Sequence, residues 1–185
     1  MVSRRAFAET LRILLDRGFR FTVIGGSVIE YTIGSKDLGD DIDLFVESPS
    51  AVFEESYYRI VAEENGWALG YTWLGTPRII ARIGDEEVPV EFYENIHDFY
   101  IPPTFIERSV RVDVEGIRVR MIQLEDHIAL KASSGRGIDM ERLKEIGRLI
   151  KRGKLVVNRE KLLEAVSEFE DREVIIRRLK ETSII

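Results

Sequence analysis

The chain has 185 residues, 44% of them hydrophobic and 32% charged, with a net charge of −6; that suits one domain with a good core, or a main domain with a helical appendage, and excludes a disordered chain. It has no cysteine, which excludes disulfides and thiolate zinc sites, and its two histidines, His97 and His127, are too few for a histidine metal cluster, so any metal must be held by carboxylates, which favours a hard ion such as Mg2+ or Mn2+. The acidic total argues against nonspecific gripping of DNA or RNA, and no apolar run approaches the ~18 residues that a membrane span needs.

Phe7, Leu11, Leu14 and Leu15 recur at helical spacing and predict a helix over residues 4–17, stopped by Gly18. Glu9, Arg12 and Asp16 interrupt its apolar stretch, so it reads as an amphipathic helix rather than a signal peptide, and a cytoplasmic location is expected. Residues 19–26 read as a short strand ending in a glycine turn, 27–34 as a helix opened by Ser27, 35–40 as a loop and 41–47 as a strand by alternation. The Ser-Pro start and Gly stop of 48–66 predict a helix. Residues 67–74, 77–84 and 86–95 read as three strands, and Pro89 puts the last of them at a sheet edge or a bulge. Residues 97–109 read as irregular and 110–122 as a hairpin around Glu115-Gly116. Beyond Gln123 the period is helical, over 124–135, 139–153 and 158–181. The expected organisation is a mixed α/β part, 1–122, and a C-terminal helical region, 123–185, packed on it.

The stretch Asp40-Asp41-Ile42-Asp43 opens an apolar strand. Side chains alternate faces along a strand, so Asp41 and Asp43 point one way while Ile42, Leu44 and Val46 point into the core. Two like charges on one half-buried face are costly unless they share a cation. A third carboxylate is expected from a neighbouring strand. In 88–92 Val88, Val90 and Phe92 face the core, which leaves Glu91 on the other side; Glu87 and Glu94 are alternatives, and Asp40 reads as a loop residue. Such a three-carboxylate site binds two Mg2+ ions and leaves places for triphosphate oxygens. Before it, Gly25-Gly26-Ser27 lies between strand and helix, where glycines admit a ligand close to the backbone, helix N–H groups face an anion and the Ser27 hydroxyl adds a donor. Taken singly, Gly-Gly-Ser is most often a tight turn and Asp-x-Asp a solvated strand end. Their order and spacing together point to a phosphate cradle and a metal site facing each other.

These residues resemble the nucleotidyltransferase superfamily related to DNA polymerase β, whose pattern is a Gly-Gly or Gly-Ser turn, then two carboxylates around one apolar residue, then an acidic residue on a later strand. Here these are Gly25-Gly26-Ser27, Asp41-Ile42-Asp43-Leu44 and Glu91. The layout is similar to small prokaryotic and archaeal members, including toxin-type nucleotidyltransferases with a helical C-terminal part. The resemblance covers residues 5–150, with its specific motifs in the first fifty. It implies an α/β (α+β) fold with a mixed β-sheet flanked by helices and with C-terminal helices. It implies transfer of a nucleoside monophosphate from an NTP, ATP among them, to an acceptor hydroxyl, with release of pyrophosphate. Asp41, Asp43 and Glu91 would be catalytic and hold two Mg2+ ions (Mn2+ possible), Glu91 also helping to deprotonate the acceptor. Gly25, Gly26, Ser27 and Lys36 would bind the nucleotide, Lys36 standing where members often have Arg. Gly39 stands where many members carry Thr. Members often have a downstream helix with Lys, then Arg and Asp; Lys131, Arg136 and Asp139 look similar, Lys131 as a further nucleotide contact. By itself Lys131 reads equally as an ammonium within reach of a triphosphate or as a solvated lysine.

The acceptor, whether a tRNA, a protein or a small molecule, is not written in the sequence. The rival readings are a catalytically silent nucleotide- or partner-binding module and the toxin half of a toxin–antitoxin pair acting on tRNA, with an antitoxin as partner. The basic run Lys144, Arg148, Lys151, Arg152 and Lys154 reads as a solvated helix face with Glu141 and Glu145 as partners. Trp67, Tyr71 and Trp73 read as core or edge packing. Abundant charge beside one glutamine and three asparagines is the bias of a thermophile protein.

Overall fold

The computed structural model describes residues 1–96 and 99–185. They form two compact units, one of residues 1–100 and 109–122, the other of 101–108 and 123–185. Among the described residues seven strands make one mixed sheet: β1 (Arg20–Ile24), β2 (Ile42–Ser48), β3 (Ala68–Tyr71), β4 (Pro77–Ile83), β5 (Glu86–Tyr93), β6 (Val110–Val114) and β7 (Ile117–Met121). Their order is β3-β4-β5-β2-β1-β7-β6, all in the first unit. β2 runs parallel to β5 and β1 parallel to β7, and the other neighbours are antiparallel. The first unit also holds helices α1 (Arg4–Asp16), α2 (Ser27–Thr32) and α3 (Glu55–Asn65).

Alternation decides which side of the sheet is core. Ile42, Leu44, Val88, Val90 and Phe92 are fully buried, and Val46 nearly so. Above them Phe19, Tyr58 and Phe92 pack ring to ring at 4.8–5.7 Å, with the Tyr58 hydroxyl donating to the Pro49 carbonyl at 2.7 Å. Burial of each such ring stabilises by ~2 kcal/mol. Residues of opposite parity, Asp43 and Glu91 among them, are left on the other face.

Three stretches differ from expectation. The helix expected over 48–66 begins only at Glu55. The Ser50 hydroxyl accepts from the N–H groups of Val52 and Phe53 and donates to Glu94, forming a turn in place of a first helical turn. The strand expected over 67–74 stops at Tyr71, because Thr72 and Thr76 close the hairpin backbone to backbone and hydroxyl to hydroxyl, each at 2.8 Å. Trp67 is buried, while Tyr71 (51% exposed) and Trp73 (66%) are not. Pro89 sits in an interior strand, not an edge strand. The β2 pairing begins only at Ile42↔Val90, so residues 86–89 are bonded to β4 alone and that half of β5 has an open side for a residue without an N–H.

The second unit holds α4 (Pro103–Glu107), α5 (Leu124–Ser134), α6 (Gly137–Lys151), α7 (Arg159–Ser167) and α8 (Arg172–Glu181); α6, α7 and α8 pack on α5, and α7 on α8. The segment 97–109, expected to be irregular, begins at His97 and Asp98, which lie outside the described residues; further on it holds α4. Phe105 meets Phe169 edge to face, and Arg108 pairs with buried Asp126, so 101–108 belong with the helices. The helical run 158–181 breaks into α7 and α8 at 168–171. Arg178 donates to the Ala132 and Ser133 carbonyls at 2.7 and 2.8 Å, closing the C-terminus of α5, and Gly147 admits the Thr182 carbonyl where any Cβ would overlap it. On the exposed face of α6, Lys144 pairs with Glu141 and Arg142 with Glu145. No helix among the described residues is long and apolar enough to cross a membrane.

His127 is buried in this unit, and burial, with Lys131 adding repulsion and Asp139 opposing, holds its imidazole down at about 3. The unfolded chain takes up a proton near 6.5 that the folded protein refuses. Stability is therefore complete above pH 6.5 and falls as the pH drops toward 3, by about 2 kcal/mol between pH 6.5 and 5. Urea unfolding at the two pH values should show this loss, and His127→Leu should flatten the slope.

Candidate active site

β1 ends at Ile24 and the chain turns at Gly25 and Gly26 into α2. Gly25 has φ +73°, and a Cβ there would stand 2.7 Å from Asp43 Cγ and overlap the carboxylate outright. Only glycine lets this turn close onto the carboxylate strand. Gly26, with φ −62°, has open space where a Cβ would be. The Val28 and Ile29 N–H groups bond back to the Gly25 and Gly26 carbonyls, so the turn runs directly into the helix. Ser27 is buried, and its hydroxyl donates to the Leu38 carbonyl at 2.7 Å. The hydroxyl expected to face a ligand thus ties the turn to the loop that delivers the aspartates. That loop is held from its other side too: Val2 N–H donates to the Gly39 carbonyl and Leu38 N–H to the Val2 carbonyl.

The register Asp43↔Glu91 between parallel β2 and β5 sets two carboxylates side by side, and Asp41 joins them from the residue before β2. One oxygen from each of Asp41, Asp43 and Glu91 lies within 4.8 Å of the others, and all three side chains are half-buried. Burial first, then the Glu91 charge, raises the Asp41 carboxyl above its usual range, with Asp40 adding to this and Arg78 working against it. The alternatives for the third position are engaged elsewhere: Glu87 is exposed and pairs with Arg82 at 3.2 Å, while Glu94 accepts from Ser50 and the Ala51 N–H. Asp40 is exposed.

Lys36 is exposed on the loop leading to Gly39. Lys131 lies in the helical unit, where its ammonium donates to Asp139 at 2.8 Å. Asp139 is buried; burial opposes its ionisation, but Arg136, Lys131 and Ser134 all donate to it and together hold its carboxyl down at about 2.

Two further residues, Tyr93 and Arg78, stand beside Glu91. The Tyr93 hydroxyl donates to Glu91 Oε2, and Arg78 Nε stands 3.4 Å from Oε1. Burial, then this hydrogen bond and the surrounding carboxylates, pushes the Tyr93 phenol up, so it stays a donor. Tyr93 has a sequence signal, since it follows Glu91 by two on one strand face. Arg78 has none, because its place opposite Glu91 depends on the β4–β5 register.

The donor set fits a divalent cation of the Mg2+ class. It is all carboxylate oxygen and compact, and burial, then the Glu91 charge, raise the Asp41 carboxyl, a cost that a bound cation would offset.

A glycine turn set against a carboxylate pair, with a third carboxylate on the next parallel strand, defines a nucleotidyltransferase fold. The sequence matches the family described as nucleotidyl transferase of unknown function (DUF2204) over residues 3–181, and the chain belongs to that family. It is an enzyme that transfers nucleotidyl groups. No curated protein matches the sequence. Among solved structures it is similar to an antigenic nucleotidyltransferase-like protein from Paracoccidioides brasiliensis, with 13% identity, 97% of this chain and 94% of that one covered, and a TM-score of 0.54. The antibiotic-resistance factor ANT(2'')-Ia in solution is similar at 14% identity over 98% and 89%, TM-score 0.51. ANT(2")-Ia in complex with adenylyl-2"-tobramycin is similar at 16% identity over 98% and 97%, TM-score 0.50. These likenesses are of fold.

Proposed function

We propose that the protein is a Mg2+-dependent nucleotidyltransferase that moves a nucleoside monophosphate from an NTP to an acceptor hydroxyl. The acceptor oxygen bonds to the α-phosphorus, the bond from that phosphorus to the β-bridging oxygen breaks, pyrophosphate leaves and the acceptor proton is lost. The single observation that carries this reading is the carboxylate trio within 4.8 Å, set against the Gly25 turn. Asp41 and Asp43 would hold both ions and Glu91 one of them. Bound divalent cations would acidify the acceptor hydroxyl and neutralise the triphosphate and its leaving group. The chain's own contribution is placement. Gly25, Gly26 and Ser27 would face the β- and γ-phosphates, with open space beside Gly26 and with Gly25 closing the turn on Asp43, and the Ser27 and Val2 bonds keep the Asp41 loop in register with β2. In phosphoryl transfer such positioning and charge neutralisation supply most of the rate. Glu91 would also take the acceptor proton, and Lys36, exposed on the loop leading to Gly39, is assigned to the triphosphate.

Each α-32P-labelled NTP, with Mg2+ and either total tRNA, cell extract or an aminoglycoside, tests this. The aminoglycoside belongs in the panel because one neighbour is in complex with adenylyl-2"-tobramycin. Label on an acceptor with the wild type but not with Asp41→Ala/Asp43→Ala supports the reading and identifies the acceptor class. Tight Mg2+–NTP binding without transfer to any acceptor in the panel favours the binding module. Growth arrest on expression, abolished by Asp43→Ala, marks the toxin reading.

A further inference from the structure

We propose that Tyr93 and Arg78 are positioning residues that clamp Glu91 from both sides, so that the third carboxylate is oriented before any ion arrives. The inference rests on the reading of Asp41, Asp43 and Glu91 as a divalent-cation site. A glutamate has three free torsions, and ordering it on binding costs free energy that a pre-set rotamer avoids. Here both oxygens are already addressed. The Tyr93 hydroxyl donates to Oε2 from a ring that is 7% exposed and stacked on Phe99, centroids 4.9 Å apart and planes at 22°. That stack denies the phenol an alternative position. On the other side the β4–β5 register sets Arg78 opposite Glu91, with Nε 3.4 Å from Oε1. The Nε–H is shielded from solvent and makes no hydrogen bond among the described residues, so its one compensation is the Glu91 charge. With both partners in place, one Glu91 oxygen still lies within 4.8 Å of an oxygen of each of Asp41 and Asp43. Partners that orient a ligating carboxylate in this way typically change metal affinity by about 10–100-fold when removed.

Tyr93 could instead be a buried phenol with a convenient acceptor, and Arg78 a bare counter-charge. A Mn2+ titration followed by the EPR signal of the free ion separates these, with thermal unfolding in EDTA alongside. Wild type should bind Mn2+ and Asp41→Asn should not. Tyr93→Phe keeps ring and stack and removes one oxygen; the dissociation constant should rise about tenfold with the melting temperature in EDTA unchanged. Unchanged Mn2+ affinity, whatever the melting temperature does, overturns the role of Tyr93. Arg78→Gln gives an opposite-sign test. Loss of a positive charge alone would tighten cation binding, whereas loss of a clamp weakens it; tighter binding overturns the role of Arg78. If wild type fails to bind Mn2+, the ion-site reading itself falls and the clamp falls with it.

Discussion

Asp41→Asn is expected to lower nucleotidyl transfer by on the order of 10^3-fold, the equivalent of about 4 kcal/mol of transition-state stabilisation, and at the same time to raise the melting temperature at pH 7. The two effects have one cause. Asp41 is half-buried beside Glu91, and burial and that neighbouring charge raise its carboxyl. A group with a raised folded-state pKa contributes stability only at low pH, and that contribution is gone once the pH has risen past it. At pH 7 the ionised side chain is therefore a burden on the metal-free fold, and a neutral isostere removes it. Mg2+ should reverse the order. By mass action an ion that binds only the folded wild type raises its stability in proportion to the logarithm of concentration, and Asp41→Asn should gain little. Melting curves in EDTA and across a Mg2+ series, with label-transfer rates on the same preparations, check both halves.

Gly25→Ala is the second large effect. The residue has φ +73°, where a Cβ costs ~1–2 kcal/mol, and the new methyl would overlap the Asp43 carboxylate, with overpacking adding ~1–3 kcal/mol. We expect about 2–5 kcal/mol of lost stability. We also expect transfer to fall at least ~100-fold in whatever protein remains folded, because a displacement of 1 Å at a reacting centre costs that much. Gly26→Ala is the control. Its φ is −62° and the space beside it is open, so melting should be unaffected. If the turn cradles phosphate, the NTP KM should rise about tenfold, because a Cβ now stands where the ligand approaches the backbone. Equal behaviour of the two variants would contradict the different tasks assigned to the two glycines.

Much of this site was legible in the sequence because strand alternation is a strict rule. Ile42, Leu44 and Val46 define a buried face, so Asp41 and Asp43 have one face left to occupy, and the same rule on Val88, Val90 and Phe92 turns Glu91 outward. That β2 and β5 are parallel neighbours with Asp43 level with Glu91 is a topological fact that alternation does not contain. Arg78 was invisible for the same reason. Other features are hidden from the sequence because distant side chains override or add to local signals. Ser48-Pro49 looks like a helix start, yet Ser50 and distant Glu94 bend the chain for several residues more before α3 begins. Ser27, read from its place at a helix start as a ligand donor, also donates to the Leu38 carbonyl eleven residues on, a bond that local sequence does not announce. Pro89 looks like an edge residue, and the half of β5 it occupies is indeed bonded on one side only, although the strand itself is interior.

On the proposed reading Asp41, Asp43 and Glu91 hold divalent cation together with nucleotide. Crystals grown with Mn2+ and a non-hydrolysable ATP analogue, measured for anomalous scattering, test it most directly. Manganese peaks are expected between the three carboxylates, with the analogue's β- and γ-phosphates against Gly25 and Gly26. Bound analogue with its manganese elsewhere, or phosphates remote from the glycine turn, would contradict it.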